Sequence, residues 1–249
     1  MSRLRAAAAI FVGAMAAAAP VAGQQPVFGN SQDDFRPVLV LPGIQAIYAR
    51  PVGEFHDYVK HGGGLNLNIV WPVTTENPLA LRADAGFIVY GSERKRICFS
   101  STVGCRVELD LTTTNSIGYL NAGPQLMLPA GAIRPYVNAA VGFAYFGTSS
   151  QVEGTSSNND AIASTTNFDD ITLAWAGGGG VLIRLAGGRV PAHLDFSARY
   201  NGNGEVEYLK KGDIQDNPDG SITFDPTRSQ ANIVTFQVGV TLGARPGPR

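Results

Sequence analysis

The sequence predicts an all-β fold, an eight-stranded antiparallel up-and-down transmembrane β-barrel, on three observations. Eight segments alternate apolar and polar residues with period two, the connections between them alternate short and long, and small residues crowd the polar parity of the strands. Successive side chains of a strand point to opposite faces, so the alternation means that each strand meets two different surroundings.

The chain opens with MSRLRAAAAIFVGAMAAAAPVAG. Arg3 and Arg5 form a positive leader and Ala6 to Ala19 an apolar run, so residues 1–23 read as a signal peptide cleaved after Gly23. Val21 and Gly23 supply the small residues that cleavage needs, and the apolar run is short of the ~18 residues expected of a spanning helix. Residues 24–42 read as an N-terminal periplasmic segment, 43–243 as the barrel and 244–249 as a C-terminal tail.

The first strand is GIQAIYARPVG, 43–53. In the second, GGLNLNIVWPV, Leu65, Leu67, Ile69, Trp71 and Val73 alternate with Asn66, Asn68 and Val70. The third sets Leu79, Leu81, Ala83, Ala85, Phe87 and Val89 against Arg82, Asp84 and Tyr90. The fourth, from about Arg106 to Leu128, sets Leu120, Ala122 and Leu126 against Tyr119, Asn121 and Gln125. In the fifth, Ile133, Val137, Val141, Phe143 and Tyr145 oppose Arg134, Tyr136 and Asn138, and in the sixth Ile171, Leu173, Trp175, Val181 and Ile183 oppose Thr172 and Arg184. The seventh, RVPAHLDFSARY, puts Val190, Leu194 and Phe196 opposite His193, Asp195, Ser197 and Arg199. The eighth carries Val234, Phe236, Val238, Val240 and Leu242 against Thr235, Gln237 and Thr241. No amphipathic helix of comparable strength competes, although GEFHDYVKH can form a short helical turn.

Connections after strands two, four and six are short, whereas those around residues 95–106, 148–169 and 205–228 are long and polar. That is the asymmetry of periplasmic turns and extracellular loops, and an even strand count leaves both termini on the periplasmic side. Several segments also exceed the ~9–11 residues that a tilted strand needs to cross the hydrocarbon layer. Ala80, Gly86, Ala140, Gly142, Ala144, Ala174, Ala176, Gly178 and Gly180 share the polar parity. A solvated outer face gains little from them, whereas the crowded interior of a small barrel requires them. The apolar parity is therefore expected to meet lipid, and Arg82, Asp84, Arg134, Arg184, His193, Asp195 and Arg199 to form a lumenal network that plugs the barrel. Four arginines against Asp84 and Asp195 leave a positive excess for water, tyrosines, Glu93 or Glu205 to relieve. The alternative is a soluble lipocalin-like barrel, which would place apolar residues inside and polar ones outside.

Charge is near balance, with 19 Lys plus Arg against 20 Asp plus Glu, and no basic surface points to nucleic acid. Cys98 and Cys105 in ICFSSTVGCR predict a short disulfide in an exported chain, stabilising by about 2 to 3 kcal/mol. No Cys or His partners at ligand spacing accompany them, so no metal is assigned. His56 and His61, with Asp57 and Glu54, read as a solvated loop. DIQDNPDGSITFD fails the EF-hand spacing at Gln215 and Pro226. GGGG at 177–180 lacks the Lys and Ser or Thr of a phosphate loop. His193 and Ser197 face the lumen with Asp195 two residues from each, which does not make a catalytic relay. No catalytic residue and no cofactor is assigned, and the chain is not read as an enzyme.

YARPVGEFHDYVKHGGGLNLNIVWPV, 48–73, with LRADAGFIVYGSE, 81–93, resembles the opening hairpin and third strand of small outer-membrane β-barrel proteins of Gram-negative envelopes, and ARYNGNGEVEYL resembles the end of their seventh strand. The resemblance implies a structural or surface-exposed role in the bacterial outer membrane. A small low-conductance porin, or a loop-mediated adhesin or ligand-binding barrel, is the alternative. It also implies a monomer surrounded by outer-membrane lipids and inserted by the barrel-assembly machinery, with any extracellular ligand unidentified. Many such proteins end on an aromatic residue, whereas this chain continues past Leu242 with GARPGPR. Either Phe236 belongs to an internal form of that signal or the tail is tolerated.

Overall fold

A computed structural model describes residues 40–73, 77–98, 108–128, 130–154, 161–187, 190–209, 214–216, 222–224 and 226–243. The signal peptide, most of the 24–42 segment, the 244–249 tail, Cys105 and the side chain of Cys98 lie outside the described residues, and with them the expected disulfide.

The strands are β1 (Leu41–Pro51), β2 (Gly62–Pro72), β3 (Leu79–Cys98), β4 (Glu108–Met127), β5 (Ile133–Gly154), β6 (Ala161–Ala186), β7 (Ala192–Asn203), β8 (Glu205–Tyr208), β9 (Ile214–Asp216), β10 (Ile222–Phe224), β11 (Thr227–Gln230) and β12 (Ile233–Leu242). Each of β1 to β7 pairs antiparallel with its sequence neighbour, and β12 closes the ring between β7 and β1. Closure removes every sheet edge at membrane depth, where an unpaired N–H or C=O finds no water. A single turn of helix, α1 (Phe55–Tyr58), lies in the β1–β2 connection, where the sequence predicts one.

The predicted parity is the observed one. Leu120 is 64% exposed, Val141 71% and Leu173 70%, whereas Arg82, Asp84 and Arg199 on the other parity are buried. So continuous an apolar outer surface far exceeds what a soluble monomer presents to water. From Ile133 to Tyr145 on β5 it spans roughly 30 Å along the axis, at ~3.3 Å per residue and a ~45° tilt, which is the thickness of a hydrocarbon core. No helix among the described residues is long and apolar enough to cross a membrane; the crossing elements are strands.

The long polar connections differ from expectation. β5 and β6 stay paired far beyond Tyr145, from Phe146 opposite Asp170 to Glu153 opposite Ala161, and β3 and β4 do the same up to Cys98 opposite Glu108. The described parts of the first two of these connections are therefore hairpin, continuing the membrane strands outward. The 205–228 segment likewise carries β8 paired with β11 and β9 with β10. β3 has one irregularity, at Tyr90, where the pairing with β4 shifts by a residue.

Inside, the lumen is stratified. At the short-turn end Leu41, Val70, Ala80, Met127, Tyr136 and Leu182 form an apolar layer. At the long-hairpin end a larger one gathers around Phe55, which α1 drives into the mouth of the barrel with 0% exposure. Its ring meets Tyr208 at 5.0 Å, Tyr90 at 5.4 Å and Phe146 at 6.5 Å, each edge to face. Val206 and Tyr208 of β8 fold inward to complete this seal. The polar residues lie between the two layers.

Candidate functional site

The site is the polar layer in the middle of the lumen, held by the inward parity of β1 to β5, β7 and β12. β3 places Arg82 and Asp84 two residues apart on one face, so the guanidinium folds over its own strand neighbour: Arg82 Nε lies 2.9 and 3.0 Å from the two Asp84 oxygens and Nη2 lies 2.8 Å from Oδ1. Arg199 reaches across from β7, its Nη1 2.9 Å from Asp84 Oδ2. One carboxylate thus bridges two guanidinium groups, in a medium where charge-assisted bonds are strong and an unpaired charge is costly.

The rest of the layer is amide and phenol. Gln45 Oε1 accepts from Asn66 Nδ2 at 2.9 Å, Asn68 Nδ2 at 3.0 Å and Arg82 Nη2 at 3.4 Å. Arg82 Nη1 donates to Gln125 Oε1 at 3.2 Å, and Asn66 also donates to Asp84 at 3.0 Å. The Tyr119 hydroxyl donates to Asn66 Oδ1 at 3.0 Å. Across the lumen the Tyr136 hydroxyl donates to Asp195 Oδ1 at 2.7 Å, while its ring lies 5.8 Å from the Arg82 guanidinium carbon. Thr241 donates to the second Asp195 oxygen at 3.4 Å. Glycines make room for these bulky groups: a Cβ on Gly86 would collide with the Tyr119 ring, and one on Gly180 with Tyr136.

The seven sequence-predicted network residues therefore divide. Arg82, Asp84, Asp195 and Arg199 are buried in the central layer with the tyrosines as their relief. Arg134 and Arg184 are drawn off to the short-turn rim, where Arg134 Nε donates to Leu128 O at 2.7 Å and Arg184 Nη2 to Gly131 O at 2.8 Å. The physical reason is height. Both stand near the β4–β5 turn, whose carbonyls lack strand partners, so the excess of two arginines is answered by backbone oxygens. His193 is buried beside them, paired across the sheet with Arg184 and Thr241. The expected third acid is not at the network: Glu205 is exposed and pairs with Arg228 at 3.2 Å, and Glu93 lies on the projecting part of β3 opposite Thr113. Ser197 donates to Gln237 at 3.4 Å.

Sequence reasoning missed Gln45, which accepts three hydrogen bonds, although its place between Ile44 and Ala46 in GIQAIY carried the signal. It also missed the Phe55 seal. The layer leaves little room. An enclosed cavity of about 10 Å³ lies among Asn68, Arg82, Gln125 and Asp195, the space of roughly one water and too small for a hydrated ion. Some polar atoms are buried without a partner among the described residues, including Arg199 Nε and Nη2 and both amide atoms of Asn138.

No protein-family model matches the chain. No curated protein sequence matches it either. Among solved structures it is similar to Ail, the attachment invasion locus protein of Yersinia pestis, in complex with the heparin analogue sucrose octasulfate, at 12% identity over 82% of this chain and 96% of that one, with a TM-score of 0.35. Neisserial surface protein A is similar at 11% identity, covering 83% and 97%, with a TM-score of 0.37. A major outer membrane protein of Thermus thermophilus is similar at 11% identity, covering 80% and 98%, with a TM-score of 0.40.

Proposed function

We propose that this chain is an outer-membrane barrel with a closed lumen, whose work is structural or carried out at its outer surface. The observation that supports this reading is the stratified interior: an apolar layer at each end and a charge-paired polar layer between them. A barrel of eight strands encloses only enough space for side chains, and here the side chains fill it. The short-turn end and both termini face the periplasm, and the projecting β3–β6 hairpins stand outside the cell. The chain acts as a monomer among outer-membrane lipids once the assembly machinery has inserted it, and its role is non-enzymatic.

Fractionation tests the location and planar-bilayer recording tests the plug. Outer-membrane recovery with heat-modifiable gel mobility and no steady conductance supports the closed barrel. Stepwise conductance that disappears when Asp84 is replaced favours the second reading, a small low-conductance pore that opens by rearrangement of the Arg82–Asp84–Arg199 pairs. Soluble periplasmic recovery with no heat shift overturns both.

A further inference from the structure

The outer face carries a groove that neither the plug nor the strand pattern explains. Its volume is about 570 Å³ and it is lined by Ala46, Tyr48, Gly179, Phe196, Ala198 and Phe236, among others. The register shows how it arises. One rung of the barrel runs Tyr48, Phe236, Ala198, Gly179 and Val137, two large residues followed by two small ones, and the rung above runs Arg50, Val234, Tyr200, Gly177 and Ala139. An aromatic pair lines the hollow, Tyr48 with Phe236 at 6.5 Å, and on β6 and β7 Trp175 meets Tyr200 of the next rung at 5.3 Å.

Within 177–180 the four glycines differ in reason. Gly178 and Gly180 face inward, where a Cβ would meet Arg199 and Tyr136, but a Cβ on Gly177 would meet nothing within 4 Å. Glycine weakens a strand, and packing does not require it at Gly177. Gly179 faces the lipid as well and forms the floor of the groove with Ala198.

Charge identifies the occupant. Arg50 is exposed on the outward parity of β1, two residues above Tyr48, and exposed His61 stands one step past the Ala49–Gly62 pair, beside it. A cation at the upper rim of an apolar groove, at the edge of the hydrocarbon layer, matches a lipid whose chain fills the groove and whose headgroup is negative. We propose that this groove binds one anionic phospholipid, its acyl chain along Ala46, Ala198 and Gly179 and its phosphate at Arg50 with His61 alongside. The site rests on the lipid-facing reading of this surface.

The test is native mass spectrometry of the full-length folded barrel after exchange into mild detergent with equal amounts of phosphatidylglycerol and phosphatidylcholine of identical chains. The expected result is one retained lipid per barrel with a severalfold preference for phosphatidylglycerol. Arg50→Gln should remove the preference, and Ala198→Leu, which fills the groove, should reduce retention of both lipids. Equal retention by the wild type, a preference unchanged in Arg50→Gln, or retention unchanged in Ala198→Leu overturns the site. Heat-modifiable mobility in the same samples separates the two readings: a barrel that shifts but shows no preference overturns the lipid site alone, and a chain with no shift overturns both.

Discussion

Replacing Asp84 with Asn tests whether the polar layer is a paired network or merely a crowded interior. Asp84 is 1% exposed and bridges Arg82 and Arg199 through contacts of 2.8 and 2.9 Å. Asn preserves the volume but removes the charge and turns one acceptor into a donor facing two guanidinium groups. Breaking a buried pair in this way costs about 3–5 kcal/mol, because the orphaned charge stays buried. Here two arginines are orphaned, so the upper part of that range is expected. The assay is urea unfolding of the barrel reconstituted in lipid, followed by the gel shift and by Trp71 and Trp175, both exposed on the lipid face and therefore sensitive to loss of the bilayer. A loss under about 1 kcal/mol refutes the reasoning, since buried pairs that lose one partner do not behave so. A companion variant sharpens the test: Arg82→Met, Asp84→Leu, Asp195→Leu and Arg199→Met together should lie within about 1–2 kcal/mol of wild type, because an apolar filling removes the charges as a set.

Phe55→Ala should release α1 while leaving the barrel closed at its middle layer. Phe to Ala in a core costs about 3–5 kcal/mol, and each 1.4 kcal/mol lost raises the open population tenfold, so trypsin cleavage after Lys60 should accelerate by at least about tenfold while heat-modifiable mobility persists; an unchanged cleavage rate would show that the helix is held by something other than this ring. Tyr136→Phe removes the 2.7 Å bond to Asp195 and should cost about 1.5–3 kcal/mol, the range for a hydrogen bond to a charged group. The urea midpoint measures it, and a double-mutant cycle with Asp195→Asn should return most of that energy as coupling. Gly86→Val should displace the Tyr119 ring and destabilise by about 1–3 kcal/mol in the same unfolding measurement. Gly118→Ala, where an added Cβ meets nothing within 4 Å, is its control and should stay within about 0.5 kcal/mol of wild type.

How much of this was legible in the sequence follows from what each face touches. Between Leu120 and Met127, or Leu65 and Trp71, one face meets lipid and the other a polar interior, so composition alternates residue by residue and the strand is readable. Beyond Phe146 both faces of β5 are hydrophilic: on the buried face Ser150 shares a hydrogen bond with Thr113 of β4 at 2.9 Å and Thr148 donates to Asn115 at 2.8 Å, while Ser149 and Gln151 on the other face are exposed. Without contrast between faces there is no alternation, and paired strands read as a polar loop. Parity also says which side a residue faces but not its height, so Arg134 and Arg184 join Arg82 and Arg199 in the pattern yet stand at the rim. Phe55 was the hardest to see. Its burial depends on Tyr90, Phe146 and Tyr208, residues distant in sequence, and the local trace is only the spacing of Phe55 and Val59 along one helical turn.

The shift at Tyr90 divides β3 into two stretches of opposite phase. Below it the odd-numbered residues Leu81 and Phe87 look outward; above it Gly91 pairs with Asn115 and the outward positions become even-numbered, Ser92, Arg94 and Arg96. One inserted residue changes the reading frame of the strand's two faces, with Tyr90 itself turned into the upper seal. The frame changes where the surroundings change, so that the strand leaves the bilayer with Arg94 and Arg96 directed outward and paired to Asp110 on β4. A single continuous strand thus carries two messages in different phase, one addressed to lipid and one to water, and the bulge is the punctuation between them.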